Sequence, residues 1–124
     1  MDNKRAQGRK ILLTINNPEK YGITAAVIEQ KLSTIKTDYY CFAKEKDSTE
    51  HYHIFIYRNA SYNFTTIKKL FETAHIEFAK GTVLENKEYV CKEGKWLENE
   101  KAKTSIPGTF VEKGKRPVEC PATR

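Results

Sequence analysis

The run His51-Tyr52-His53-Ile54-Phe55-Ile56-Tyr57 constrains this chain more than any other stretch. Its aromatic and β-branched residues favour a pleated strand. Side chains alternate along a strand, so His51 and His53 share one face and Tyr52 points to the other. Two neighbouring imidazoles on one face can bind one ion through their ring nitrogens. A bare HxH pair is more often one surface histidine and one core histidine. The surrounding residues therefore have to decide its role.

The surrounding elements follow from periodicity and punctuation. Residues 9–15 read as a buried strand, stopped by Asn16-Asn17-Pro18 because proline cannot continue a ladder. Thr24 is a suitable N-cap for a helix to about Ser33, with Ala25, Ile28 and Leu32 on one side. Residues 39–43 and 51–57 read as two strands of a hairpin around a polar turn at Lys46–Thr49, the second closing at Arg58-Asn59. A second helix is predicted over 65–73, with Ile67, Leu70 and Phe71 inward. A further strand follows over 75–79, broken by Gly81. A third helix is predicted over 82–92, with Val83, Leu84 and Val90 as core contacts and Gly94 just past its end. The order β-α-β-β-α-β-α predicts an α+β fold: an antiparallel sheet of about five strands, with flanking helices packed on one side. Residues 1–8 read as a flexible basic arm and 96–124 as an extended tail or linker.

Length and composition bound the partners. The 124 residues suit one domain, alone or as part of a larger protein. No apolar run approaches the length of a membrane span. The charged start MDNKRAQGRK is unlike a signal peptide, so an intracellular protein is expected. Three scattered cysteines, Cys41, Cys91 and Cys120, suggest neither a disulfide framework nor a structural zinc site. The net charge of +6 and a pI of about 9.2 fit an anionic partner such as nucleic acid, or simply a solvated lysine-rich surface. Clustering of Lys4, Arg5, Arg9 and Lys10 favours the first, because phosphates need grouped cations.

Chemistry enters with Glu45, Tyr89 and Lys92. In the expected hairpin, Glu45 lies beside the histidines and can add a carboxylate oxygen. Two imidazoles and one carboxylate leave positions open for water and substrate, the mark of a catalytic metal site. Glu50 is nearer in sequence but falls in the turn. Tyr89 and Lys92 are three apart and share one helical face. A phenol with an ordinary pKa near ~10 needs help to attack at neutral pH, and a nearby ammonium favours the phenolate. Alone, a YxxK pair is most often a buried tyrosine and a solvated lysine.

Taken in order, these motifs resemble the HUH endonucleases, and more narrowly the nuclease domain of replication initiator proteins of small circular single-stranded DNA viruses and rolling-circle plasmids. Leu13–Pro18 is similar to the family's first motif, His51-Tyr52-His53 to the second, and Tyr89–Gly94 to the third, over about residues 9–94, within a domain expected over 9–95. Tyr52 departs from the usual aliphatic residue. The resemblance implies an RRM/ferredoxin-like HUH fold. It also implies a divalent ion, Mg²⁺ or Mn²⁺, on Glu45, His51 and His53, although imidazole-rich sites in general lean towards softer metals. Tyr89 would be the nucleophile, forming a 5′-phosphotyrosine, and Lys92 its electrostatic partner. The implied partner is single-stranded DNA at a replication-origin stem-loop, with no membrane. Self-association through regions beyond this domain stays open, as does a helicase domain after the tail. The compartment would be a host nucleus for a eukaryotic virus or a bacterial cytoplasm for a plasmid. Arg5, Arg9, Lys10, Asn16 and Asn17 are the candidate DNA contacts, with turn-capping the favoured role for at least one of the asparagines. Tyr62 and Phe64 are candidate base-stacking residues, with core packing the favoured role for Phe64. Two other readings stay open on the residues alone: a non-catalytic single-stranded nucleic-acid binding module using Tyr40, Phe42 and Phe55, and a metallonuclease whose nucleophile is water.

Overall fold

Alternation along Gln7–Asn16 (β1) sets the plan of the fold. Ile11, Leu13 and Ile15 point to one face and are fully buried, whereas Leu12 and Thr14 face the other way. The computed structural model describes residues 7–93 and 104–119. Within them β1 pairs antiparallel with Glu50–Asn63 (β3) and with His75–Phe78 (β4). In turn β3 pairs with Tyr39–Lys46 (β2), and β2 with Val111–Gly114 (β5). The sheet order is β4-β1-β3-β2-β5, every pair antiparallel. Three helices flank it: Ala25–Leu32 (α1), Phe64–Leu70 (α2) and Val83–Cys91 (α3). This is the α+β class expected from the order of elements.

The helices do not share one side. Ile28 and Leu32 of α1 and Ile67 of α2 pack with Ile11, Leu13, Phe42 and Ile54. Val83 and Val90 of α3 pack on the opposite face with Tyr39, Cys41, Ala43 and Phe55. The one-sided expectation is corrected for a physical reason. Residues 39–43 and 52–56 are buried at every position. Central strands that bury consecutive residues need cover on both faces. Leu84, expected inward, is 41% exposed, while Asn86 is buried instead and donates through its amide to the Lys80 and Thr82 carbonyls.

Local chemistry explains where the helices start. The Thr24 hydroxyl accepts from the Val27 amide. Thr82 and Glu85 form a reciprocal capping box at α3. The strands run longer than the sequence suggested. β3 continues past Arg58 through an irregular register to Asn63. The Arg58 guanidinium spans that irregularity, donating to the Ala60 and Ser61 carbonyls while lying over the Tyr62 ring. Tyr62 is buried, with its hydroxyl on the Lys36 carbonyl, so it is no stacking platform. Phe64 packs partly buried against the α1–α2 core.

Among the described residues, strand extends into both the expected arm and the expected tail. Gln7 and Gly8 belong to β1, opposite Asn63 and Tyr62. A Cβ on Gly8 would lie 2.6 Å from the Phe78 ring, so the missing side chain lets that ring sit on the backbone. Lys4, Arg5, Gly94, Trp96 and Cys120 lie outside the described residues. The extended-tail reading is corrected where β5 forms. Val111 pairs with Phe42 and Gly114 with Tyr39, and the Tyr39 hydroxyl donates to Glu112 Oε2 over 2.7 Å. A polar sequence hid this edge strand, because an edge needs apolar residues only where it meets the core. Gly114 has φ +90°, and a Cβ there would run into the Asp38 carbonyl. Gly114→Ala is therefore expected to destabilise the protein by roughly 1–3 kcal/mol, measured by urea unfolding. An unchanged midpoint would mean that β5 contributes nothing to the fold.

Candidate active site

The α3 face of the sheet carries a short row of polar side chains where the apolar run ends. Register makes the row. Glu45 of β2 lies directly opposite His51 of β3, and Thr14 of β1 directly opposite His53. Cross-strand partners share a face, so all four side chains meet on one surface. Tyr52 and Lys44 project to the other face, where Lys44 pairs with Glu50 over 3.3 Å and lies over the Tyr52 ring. Tyr52 thus points away from the histidines, and so does Glu50.

Distances within the row are short. Glu45 Oε1 is 3.4 Å from His51 Nε2 and 3.7 Å from His53 Nε2. Ligand atoms of Glu45, His51 and His53 all fall within 4.8 Å of one another, so the three can hold a metal ion. The donor set, one carboxylate oxygen and two imidazole nitrogens, fits a divalent cation. His53 Nδ1 lies 3.2 Å from the Thr14 hydroxyl. A hydroxyl accepting from Nδ1–H leaves the Nε2 lone pair facing the carboxylate, the usual way a ligand histidine is oriented. Thr14 was not singled out from sequence. Its signal was there in the alternation Lys10, Leu12, Thr14, Asn16, once β1 is placed beside β3.

Helix α3 brings the other two residues. The Tyr89 hydroxyl is 3.4 Å from His53 Nε2, and the two rings are 5.1 Å apart. Burial, then the charges of Glu45 and Glu77, push the Tyr89 phenol above its ordinary value. Ionising that hydroxyl calls for positive charge nearby. Lys92 is placed for this: its Nζ is 2.5 Å from Glu45 Oε2, 4.0 Å from the centre of the Tyr89 ring, and donates to the Tyr89 carbonyl over 2.6 Å. The lysine and the glutamate are both buried, 4% exposed each, so each offsets the other's desolvation.

Lys92 also ends the helix. It is left-handed at φ 60° and ψ 46°, a conformation that side-chain-bearing residues adopt at a cost. The Glu93 amide turns back to the Glu88 carbonyl, closing the helix as a glycine would. The sequence reading gave that stop to Gly94. The structure gives it to Lys92, which swings its side chain back under α3 towards Glu45. Thr104, from beyond α3, donates to Glu45 Oε1 over 3.2 Å, and nothing in the sequence marked it.

The expected DNA contacts are dispersed. Asn16 is exposed at the end of β1, opposite His51, on the rim of the row. Asn17 is left-handed at φ 51° and leads into a 3-10 turn over Pro18–Tyr21. Its amide donates to the Glu50 carbonyl, so its backbone serves the turn. Lys10 donates to the Gly81 carbonyl, and Arg9 is exposed. Beside Tyr89 an open cleft of about 440 Å³ is lined by Leu12, Glu77, Lys80, Gly81, Glu85 and Asn86.

The left-handed lysine separates backbone from chemistry. Lys92→Gly and Lys92→Ala both remove the ammonium, but only glycine relieves the conformation. Lys92→Gly is expected to be more stable than Lys92→Ala by roughly 1 kcal/mol in chemical denaturation. Equal stability would show that this turn is not left-handed in solution.

No curated protein matches the chain. One family model does, over residues 9–93, under the description "Putative viral replication protein". That span holds β1 to the end of α3, with Glu45, His51, His53, Tyr89 and Lys92 all inside it, and the chain accordingly belongs to this family of viral replication proteins.

Proposed function

We propose that this domain initiates rolling-circle replication by nicking single-stranded origin DNA with Tyr89. The observation that carries the reading is the Tyr89 hydroxyl at 3.4 Å from His53 Nε2, on the edge of the Glu45–His51–His53 cluster. A nucleophile and a metal site this close can act on one phosphate.

Glu45, His51 and His53 would hold the ion, Mg²⁺ or Mn²⁺. Such an ion, when bound, polarises the scissile phosphate as a Lewis acid. The protein's own groups do the rest. The Tyr89 oxygen attacks phosphorus in line, a tyrosine–phosphate bond forms, and the bond to the 3′-oxygen breaks. The products are a 5′-phosphotyrosine and a free 3′-hydroxyl. Lys92 favours the phenolate and offsets charge on the phosphate. Because the covalent bond conserves phosphodiester energy, a 3′-hydroxyl can reverse the step and rejoin the strand. One tyrosine suits nicking, extension and strand transfer in sequence. Thr14 keeps the His53 ring turned towards the site. Asn16 on the rim, Arg9 and Lys10 along β1, and Arg5 are the candidate contacts to the DNA. The origin stem-loop as substrate rests on the family resemblance.

The binding-module alternative finds little support. Tyr40, Phe42 and Phe55 are buried beneath helices, at 8%, 0% and 0% exposure, so no aromatic platform lies open on the central strands for bases to stack on.

The test uses single-stranded oligonucleotides carrying candidate origin loops, with and without Mn²⁺, read on denaturing gels. The expected result is a metal-dependent protein–DNA adduct that Tyr89→Phe abolishes. Lys92→Ala should slow its formation on the order of 10²–10³-fold, the usual cost of losing one electrostatic contact to a transition state. Cleavage without an adduct, undiminished in Tyr89→Phe, would contradict the reading and point to water as nucleophile.

A further inference from the structure

Glu45 has a divided environment. Oε2 pairs with Lys92, whereas Oε1 faces both imidazoles and accepts from the Thr104 hydroxyl over 3.2 Å. A carboxylate on a long side chain can rotate. Two different partners, one on each oxygen, fix which oxygen looks at the histidines.

Thr104 does not reach Glu45 by chance of a loose loop. Ser105 forms a β-bridge with Glu45 itself. The Ile106 amide donates to the Lys44 carbonyl over 3.1 Å. The Thr109 hydroxyl accepts from the Lys44 amide at 3.0 Å and donates to the Ile106 carbonyl at 2.7 Å. The chain then enters β5 and pairs with the same strand, β2. Residues 104–109 are thus clipped to the outer edge of β2 at the residues around Glu45, just upstream of the strand that continues the sheet. Thr104 lies beyond the span of the family match, which ends at residue 93.

We propose that Thr104 is a positioning residue of the metal centre, presenting Glu45 Oε1 to the ion, so that the working site extends past α3 to residues 104–109. The inference rests on the proposed metal site. Groups that hydrogen-bond to metal ligands govern affinity through ligand orientation, and losing one weakens binding about 10–100-fold.

Valine and serine separate hydroxyl from shape. Thr104→Val keeps the branched form and loses the donor. Thr104→Ser keeps the donor and loses the methyl. Mn²⁺ affinity is measured by calorimetry on the full chain, with melting temperatures in EDTA to follow folding. Thr104→Val is expected to bind Mn²⁺ about 10–100-fold more weakly, and Thr104→Ser to bind as the wild type does, with all three proteins melting together. Wild-type affinity in Thr104→Val overturns this inference alone. Affinity that follows shape, kept in valine and lost in serine, also overturns it. A wild type that binds no Mn²⁺ overturns the metal site and this inference with it.

Discussion

A one-residue slip between β2 and β3 would turn Glu45 towards α1, because strand side chains alternate with a period of two. The carboxylate would then sit beside Lys44's present neighbours, and the two histidines would lie opposite Lys46 and Lys44, or Lys44 and Phe42, instead. The observed register, Glu45 against His51 and Ala43 against His53, prevents this. It is held by apolar side chains on both faces. Phe42 and Ile54 pack under α1 and α2, and Cys41 and Phe55 under α3. A slip would expose or misplace all of them together. The core thus fixes the chemistry: the same alternation that buries Ile54 and Phe55 places His53 next to Thr14 and Tyr89.

The site is costly ground for charge. Glu45 and Lys92 are withdrawn from water, and such buried pairs add little net stability because desolvation cancels most of the attraction. Their burial in this row fits the proposed role of the site better than it fits a contribution to folding. The backbone says the same. Lys92 holds a left-handed conformation that glycine would hold more easily, and strain of this kind concentrates where a side chain must be in one place. The short helix α3 serves as a lever. Its capping box fixes one end, and the left-handed turn at its other end puts the ammonium between the tyrosine and the carboxylate.

Much of this was legible in the sequence. The apolar run RKILLTI marked β1, and the alternating aromatic run HYHIFIY marked β3. Thr24 announced α1 by its capping chemistry, whereas the capping box of Thr82 and Glu85 is seen only in the structure. The expected hairpin of residues 39–43 and 51–57 already brings Glu45 beside the histidines, because a short turn leaves few registers. What stayed hidden was non-local or unusual. β5 is too polar to read as a strand, and only its pairing with β2 defines it. The second half of β3 depends on the Arg58 side chain spanning an irregular register, which no propensity describes. The position of α3 on the far face follows from double-sided burial of β2, visible only in retrospect in the unbroken run Tyr39–Ala43. Thr104 is separated from Glu45 by 59 residues and carries no motif. Leu84 misled because its hydrophobicity matched a core position, while buried Asn86 had backbone carbonyls to satisfy.

The most direct test of the central claim, that register assembles a metal centre beside Tyr89, is an anomalous difference map from a Mn²⁺-soaked crystal of this chain. The account predicts one strong peak bounded by Glu45 Oε1, His51 Nε2 and His53 Nε2, with the Tyr89 hydroxyl adjacent to it. A peak elsewhere on the molecule, with these three side chains unengaged, would contradict it.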